Sequence, residues 1–201
     1  MNARVGLDFD NTLIDYDAVF TAEGARRGLI AAGKNGVKAA AIAAGGERLW
    51  MTIQGQAYGR GIAGASLVAG VADFLAAAKS AGVTLFIVSH KTEFGHYDAT
   101  RTNLRTAARA WMQAAGFFDP MGFGLTEEHV HFESTLDAKV ARIAALDLAF
   151  FVDDLAKVLI HPRFPPATRG LWFHAADIAP PPGCERCADW PTIGARILRH
   201  G

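Results

Sequence analysis

The chain has 201 residues, of which 51% are hydrophobic, so it is long enough to bury one substantial core and a small accessory lobe. Its twenty basic and twenty acidic side chains cancel, which argues against binding to nucleic acid or an anionic membrane and favours a small-molecule partner. The sequence has no secretory signal, no uncharged apolar run of bilayer length and too few cysteines for a disulfide framework. We therefore expect a cytoplasmic protein.

Four short apolar runs end in polar residues and predict strands buried on both faces of a parallel sheet. They are Val5–Asp10, Val83–His90, His129–Ser134 and Leu148–Asp154. Segments with apolar residues at helical spacing lie between them. These segments are Gly70–Gly82, Asn103–Ala115 and Asp137–Leu146. The alternation of strands and helices predicts an α/β fold in which helices cover a parallel sheet.

Residues 15–67 interrupt this alternation, because they are rich in Ala and Gly and contain no convincing strand. We predict a small helical cap inserted after the first strand, with residues 1–14 and 68–201 forming the α/β core. Within the cap, Ala18–Leu29 and Val37–Met51 have helical patterns, whereas the four glycines of Gln54–Ala65 indicate a flexible connection.

The segment from His161 onward is rich in proline and is predicted to be mostly irregular. A last short helix is expected at Pro191–Arg199, where a proline stands at the helix start.

Two carboxylates, Asp8 and Asp10, lie two residues apart at the end of the first predicted strand. Extended geometry sends both side chains to the same side, and burial together with mutual repulsion would raise a carboxyl pKa there unless a cation lay nearby. Oxygen ligands of this kind suit Mg²⁺. Alternatively, Asp8 simply ends a strand, and Asp10 or Asn11 builds a turn.

The other predicted strands end in further polar residues, and each has a simpler explanation. Ser89 ends the second strand and would also serve as a helix cap. Lys139 lies on an amphipathic helix, where an exposed lysine is common. The adjacent acids Asp153 and Asp154 follow the apolar run LAFFV and would also suit a turn.

Taken together in chain order, these residues resemble the four motifs of the haloacid dehalogenase (HAD) superfamily. The run DFDNT, from Asp8 to Thr12, matches the pattern Asp-x-Asp-x-Thr of the first motif. The second motif is a Ser or Thr ending the next core strand, the third a Lys, and the fourth an acidic pair after a hydrophobic strand. The resemblance covers roughly residues 1 to 160 and implies a Rossmann-like three-layer sheet with a cap.

The resemblance implies a Mg²⁺-dependent phosphatase acting on a small phosphate ester. Asp8 would attack phosphorus and become an aspartyl-phosphate, and Asp10 would act as general acid and then general base. Ser89 and Lys139 would bind the phosphoryl group or hold the nucleophile. Mg²⁺ would be held by the Asp8 carboxylate, the Asp10 backbone carbonyl and the acidic pair Asp153 and Asp154. The resemblance does not indicate which member of that pair binds Mg²⁺ directly.

Several other polar groups are weaker functional candidates. His90, Lys91, Glu93 and His96 follow the second strand, where loop polarity alone would explain them. Arg101, Arg105 and Arg109 recur every four residues, as on a solvated helix face or a surface for a phosphate-rich partner. Cys184 and Cys187 form a single CxxC, which favours a structural role over zinc binding. Tyr58 and Arg60 are cap residues that would contact substrate.

Other functions remain open from the sequence. A dehalogenase is disfavoured because dehalogenases of this family lack an acid equivalent to Asp10. A phosphotransferase or mutase would pass the phosphoryl group to an alcohol instead of water. Outside this class, a phospho-accepting signalling domain or a catalytically silent binding module would use similar residue types, although receiver domains carry their acceptor on a later strand.

Overall fold

The computed structural model describes residues 3–199, and its contacts divide the chain into two compact units. Unit 1 comprises the chain up to Leu13, Leu67–His90 and the chain from Gly116 onward. Unit 2 comprises Ile14–Ser66 and Lys91–Ala115. The strands are β1 (Arg4–Leu7), β2 (Ile14–Asp15), β3 (Ser66–Leu67), β4 (Thr84–His90), β5 (Val130–Glu133), β6 (Phe150–Asp153), β7 (Arg169–Phe173) and β8 (Cys184–Cys187). The α-helices are α1 (Asp17–Ala25), α2 (Gly33–Tyr58), α3 (Val71–Ser80), α4 (Leu104–Ala114), α5 (Leu136–Ala145), α6 (Ala156–Leu159) and α7 (Trp190–Ile197).

Unit 1 is built on a six-stranded sheet with the order β5-β4-β1-β6-β7-β8, and every neighbouring pair is parallel. The central strand β1 pairs Leu7 with Ile87 of β4 and with Val152 of β6. The carboxyl ends of these three strands therefore meet at one edge of the sheet. The predicted α/β fold with a parallel sheet is confirmed.

Helices cover both faces of the sheet, as the residues of β7 show. Trp172 belongs to one buried apolar cluster together with Phe151 of β6 and Val140 of α5. Side chains alternate along a strand, so the next residue, Phe173, faces the opposite side. Its ring lies 6.1 Å from the ring of Trp190 in α7. The sheet is thus the middle of three layers, in agreement with the prediction.

The prediction for the C-terminal segment was wrong in one respect. Two parallel strands, β7 and β8, lie in the stretch from His161 onward that we expected to be mostly irregular, and they extend the sheet at one edge. The run RGLWF of β7 is short and follows prolines. Because prolines are typical of turns, they favoured the prediction of an irregular segment over that of a strand. The predicted last helix is present as α7, with the side chain of Asp189 accepting a hydrogen bond from the Thr192 amide at its N-terminus.

Unit 2 is mainly helical and has its own aromatic core. The ring of Phe20 from α1 stacks on Trp50 of α2 at 5.3 Å and meets Tyr58 edge-on at 5.6 Å. Helix α2 is broken within its length, because Gly45 and Gly46 have non-helical backbone angles.

Among the described residues, no helix of the chain is long and apolar enough to cross a membrane.

The expected flexible connection at Gln54–Ala65 was also wrong. Helix α2 continues to Tyr58, and a 3-10 helix follows at Arg60–Gly64. A Cβ at Gly55 would lie 3.2 Å from the Gly95 Cα, so this glycine permits close backbone packing.

Unit 2 also contains Lys91–Ala115, which the sequence analysis assigned to the core. Within the unit, the indole nitrogen of Trp111 in α4 donates a hydrogen bond to the Ala65 carbonyl at 3.1 Å. The predicted division into a cap at 15–67 and a surrounding core stays a prediction.

Candidate active site

Asp8 lies just beyond β1, at the carboxyl edge of the sheet. Its backbone amide donates to the Val152 carbonyl at 2.9 Å, which continues the pairing of β1 with β6 past the end of the strand. The residue is 4% exposed. Because the neighbouring strand fixes its backbone, the Asp8 carboxylate has a defined position in a nearly dry environment.

Lys139 joins Asp8 to the end of β6. Its Nζ donates to Asp8 Oδ1 at 2.6 Å and to Asp153 Oδ2 at 2.6 Å. Helix α5 places it there: the Thr135 side chain caps the helix by accepting from the Ala138 amide. Lys139 is 1% exposed, so the alternative of a solvated lysine is excluded.

The electrostatics of this pair follow from burial and charge. Burial alone would lower the pKa of Lys139, but the charges of Asp153 and Asp8 outweigh it and hold that pKa above its ordinary value. Burial raises the pKa of Asp153 to about 7, with Asp8 reinforcing the shift and Lys139 opposing it. Asp153 Oδ1 also accepts from the Leu155 amide at 2.8 Å. The lysine therefore stays charged between two carboxyl groups.

Asp154 completes a cluster of three carboxylates. One oxygen each from Asp8, Asp153 and Asp154 lies within 4.8 Å of the other two. At that separation and an effective dielectric of about 20, each pair of charges repels by about 3.5 kcal/mol. When all are ionised, three negative charges face the one positive charge of Lys139. The donor set, all hard oxygens with surplus negative charge, fits Mg²⁺.

The two remaining predicted site residues lie at the same sheet edge. Asp10 follows Asp8 by two residues and is partly exposed, and its carboxylate is not a member of the cluster of three. The turn continues through Asn11, whose φ of 60° lies in the left-handed region that asparagine tolerates. Ser89, 1% exposed, lies two residues beyond Ile87, the β4 partner of Leu7. The catalytic roles of Asp10 and Ser89 stay predictions.

Two residues that support Asp8 received no role from the sequence. The hydroxyl of Thr12 donates to Asp8 Oδ2 at 3.3 Å, and the Thr12 carbonyl accepts from the indole nitrogen of Trp190 at 3.1 Å. The spacing of Thr12 within DFDNT was a usable signal for the first contact. Nothing local in the sequence links Trp190 to it, because 178 residues separate the two.

Two of the other polar candidates, His90 and Glu93, contact protein groups. His90 Nε2 lies 3.0 Å from the Ser134 carbonyl, and Glu93 accepts from the Asn103 side chain at 2.9 Å. The expected stripe of three arginines on one helix was wrong, because α4 begins at Leu104 and leaves Arg101 in the preceding turn.

Cys184 and Cys187 do not form a joint site. They stand three apart on β8, so their side chains alternate to opposite faces of the sheet. Both are free thiols. This arrangement agrees with a structural role for each and argues against a shared zinc ion.

Comparison with known proteins finds similarity in fold. No protein-family model and no curated protein sequence matches the chain. Among solved structures, a HAD-like hydrolase from Streptococcus pneumoniae has 12% identity and a TM-score of 0.56, covering 99% of this chain and 98% of its own. An L-2-haloacid dehalogenase has 14% identity and a TM-score of 0.55, covering 98% and 99%.

A third solved structure, protein tyrosine kinase A from Mycobacterium tuberculosis, has 18% identity and a TM-score of 0.57, with 98% of each chain covered. The names of these three proteins thus span different activities on a shared architecture. At this level of identity the comparison concerns the fold. The chain has the fold of the haloacid dehalogenase superfamily.

Proposed function

We propose that the chain is a HAD-superfamily phosphatase that hydrolyses a small phosphate ester with Mg²⁺ and an aspartyl-phosphate intermediate. The observation that carries this proposal is the contact of Lys139 with both Asp8 and Asp153 in a buried site at the carboxyl edge of the sheet. A buried carboxylate held by a fixed ammonium group is positioned to act as a nucleophile.

In the first step, an Asp8 oxygen forms a bond to phosphorus while the bond from phosphorus to the ester oxygen breaks. Asp10 donates a proton to that leaving oxygen, so the product departs as a neutral alcohol. In the second step, Asp10 takes a proton from water as the water oxygen attacks phosphorus. The bond between phosphorus and the Asp8 oxygen breaks in this step, which restores the Asp8 carboxylate and releases inorganic phosphate.

The surrounding residues keep the nucleophile ready for this chemistry. Lys139 and Thr12 hold the two Asp8 oxygens, at 2.6 Å and 3.3 Å, which fixes the orientation of the carboxylate. Asp8, Asp153, Asp154 and the Asp10 carbonyl would hold Mg²⁺, which supplies positive charge against the repulsion between carboxylate and phosphate. Ser89 would donate to a phosphoryl oxygen.

Two other activities on this fold need separate tests. Asp10 favours a phosphatase over a dehalogenase, because protonating a leaving alcohol needs an acid and releasing a halide does not. A phosphotransferase would share the first step and differ only in the acceptor.

A metal-dependent hydrolysis assay tests the proposal. Purified protein is incubated with p-nitrophenyl phosphate and Mg²⁺, with parallel reactions containing EDTA or 2-chloropropionate as the substrate. We expect phosphate release that EDTA abolishes and no chloride release. Equal rates with and without Mg²⁺, or chloride release in place of phosphate release, would contradict the proposal. Transfer to added glycerol in preference to water would identify a phosphotransferase.

A further inference from the structure

Unit 2 contains a second buried charge cluster, built around Glu23 of α1. The Glu23 side chain is 1% exposed and contacts the guanidinium groups of Arg26 and Arg27. Arg27 Nη1 lies 2.9 Å from Glu23 Oε2 and also donates to the Glu23 carbonyl at 2.7 Å. Arg60 approaches the same carboxylate at 4.0 Å. One negative charge is thus surrounded by three positive charges.

The arginines are held in place by more than Glu23. Gln56 of α2 accepts hydrogen bonds from Arg27 and, at 3.3 Å, from Arg60 Nη2. The side chains of Arg26 and Arg60 are 62% and 52% exposed, so their guanidinium groups reach solvent while their positions are restrained. This arrangement is partly organised before any ligand arrives, which lowers the entropic cost of binding.

A concave pocket lies beside this cluster. It has a volume of about 310 Å³ and is lined by Glu23, Arg26 and Arg60 together with small apolar residues, among them Val19, Ala22 and Gly64. A Cβ at Gly61 would lie 2.9 Å from Val19 Cγ1, so the glycine there keeps the wall close to α1. The lining therefore combines two arginine side chains with apolar residues.

We propose that this pocket of unit 2 binds a small oxyanion that carries a short apolar group. Glu23 is the one acidic residue among those that line it, so the lining keeps surplus positive charge. Guanidinium groups bind phosphoryl and carboxylate oxygens through paired hydrogen bonds, and the apolar residues of the lining would contact the hydrocarbon part. This site stands on unit 2 alone and does not depend on the proposed phosphatase chemistry.

Propylphosphonate is a suitable probe, because its carbon–phosphorus bond is not a phosphate ester. The metal-free full-length protein is titrated with it, and the side-chain Nε–Hε NMR signals of Arg26 and Arg60 are followed. We expect both signals to move in a saturable manner and propylphosphonate to bind at least threefold more tightly than inorganic phosphate. Binding at the candidate active site alone would leave these two signals in place and would overturn the proposal.

Two variants locate the binding further. Ala22→Leu fills the pocket from an exposed helix position and leaves the ion pairs intact, so we expect binding read at Arg26 to weaken at least tenfold. Ala25→Leu, at the end of the same helix and outside the pocket lining, is its control. Arg60→Gln should weaken binding at least fivefold, whereas Arg48→Gln should not. Unchanged binding in Ala22→Leu and Arg60→Gln, or equal weakening in the controls, would contradict the assignment.

Discussion

Each of the two units contains a cluster of charged side chains, and the two clusters carry surplus charge of opposite sign. In unit 1, three carboxylates lie together and two of them, Asp8 and Asp153, contact the ammonium group of Lys139. In unit 2, three guanidinium groups share one carboxylate, that of Glu23. Burial makes the surplus negative charge of the first cluster costly, so that cluster is expected to attract a cation. The arginines of the second cluster are partly exposed, and their surplus positive charge favours an anion. The comparison predicts that the sign of the surplus charge, and not the presence of an ion pair, determines which ligand each cluster binds.

The degree of burial also differs between the clusters. Lys139 and its two partners are almost fully enclosed, whereas the arginines around Glu23 keep contact with solvent. Solvent weakens electrostatic interactions. Removing a charge from the unit 1 cluster should therefore lower the free energy of unfolding more than removing a charge from the unit 2 cluster.

The largest expected effect is on turnover in the Asp8→Asn variant. The amide keeps the shape of the side chain but is a poor nucleophile, so the rate of p-nitrophenyl phosphate hydrolysis should fall by roughly 10³-fold or more. Asp73→Asn changes an exposed aspartate of α3 and serves as the control. Retained activity in Asp8→Asn would show that Asp8 is not the nucleophile and would contradict the assignment of the unit 1 cluster as the active site.

Lys139 and Glu23 each carry the single charge that opposes the surplus of its cluster, and the free energy of unfolding measures what each contributes to stability. Lys139→Met leaves Asp8 and Asp153 buried without their ammonium partner, so in EDTA the free energy of unfolding should fall by about 3 kcal/mol. Urea unfolding measures this loss, and Lys157→Met on the exposed face of α6 is the control. If Lys139→Met lowers the free energy of unfolding no more than Lys157→Met does, then the contacts of Lys139 with the two carboxylates do not stabilise the protein.

Metal binding should relieve the surplus charge of unit 1. Mg²⁺ at about 100 times its dissociation constant should add about 2.7 kcal/mol to the free energy of unfolding. This would raise the Tm by roughly 5 to 10 °C in a thermal melt. Asp154→Asn should remove most of that rise, and the exposed Asp177→Asn should leave it unchanged. A Tm that does not respond to Mg²⁺ in the wild-type protein would argue against the metal site.

Glu23→Gln should have a smaller effect on stability than Lys139→Met. The variant removes the one negative charge between the arginines, but their exposed guanidinium groups remain hydrated, so we expect a loss of about 1 kcal/mol. Urea unfolding against Glu47→Gln, an exposed position on α2, provides the comparison. If Glu23→Gln lowers the free energy of unfolding as much as Lys139→Met does, then the two clusters do not differ in stability as their burial predicts.

The smallest expected effect concerns the two cysteines of β8. Because Cys184 and Cys187 face opposite sides of β8, a mild oxidant should not join them within one molecule. Mass spectrometry of oxidised and reduced protein should show both thiols intact. An intramolecular disulfide between these residues would mean that β8 does not have the conformation described.

The sequence predicted the active-site strands well because local signals agreed there. Asp8, Ser89 and Asp153 each end a continuous apolar run, and parallel topology brings such ends to one sheet edge. The burial of Lys139 was harder to predict, since its helix pattern also fits an exposed lysine. Its contacts with Asp8 depend on packing between residues 131 positions apart.

The failures of the sequence analysis have a common cause. The glycines of Gln54–Ala65 were interpreted as flexible, but Gly55 permits close backbone packing against Gly95. Likewise, β8 forms by pairing with β7, and its polar sequence CERC has no strong strand pattern of its own. The Glu23 cluster was missed because Gln56 and Arg60 join it only through the packing of α2 beside α1. Tertiary contacts decide each of these features.

The most direct test of the central claim is to identify the residue that becomes phosphorylated during turnover. The protein is quenched while hydrolysing p-nitrophenyl phosphate with Mg²⁺, treated with borohydride and digested. We predict that mass spectrometry will find Asp8 reduced to homoserine, since borohydride reduces an acyl phosphate and leaves a free carboxylate unchanged. Turnover that leaves Asp8 unmodified, or reduction at another aspartate, would contradict the account.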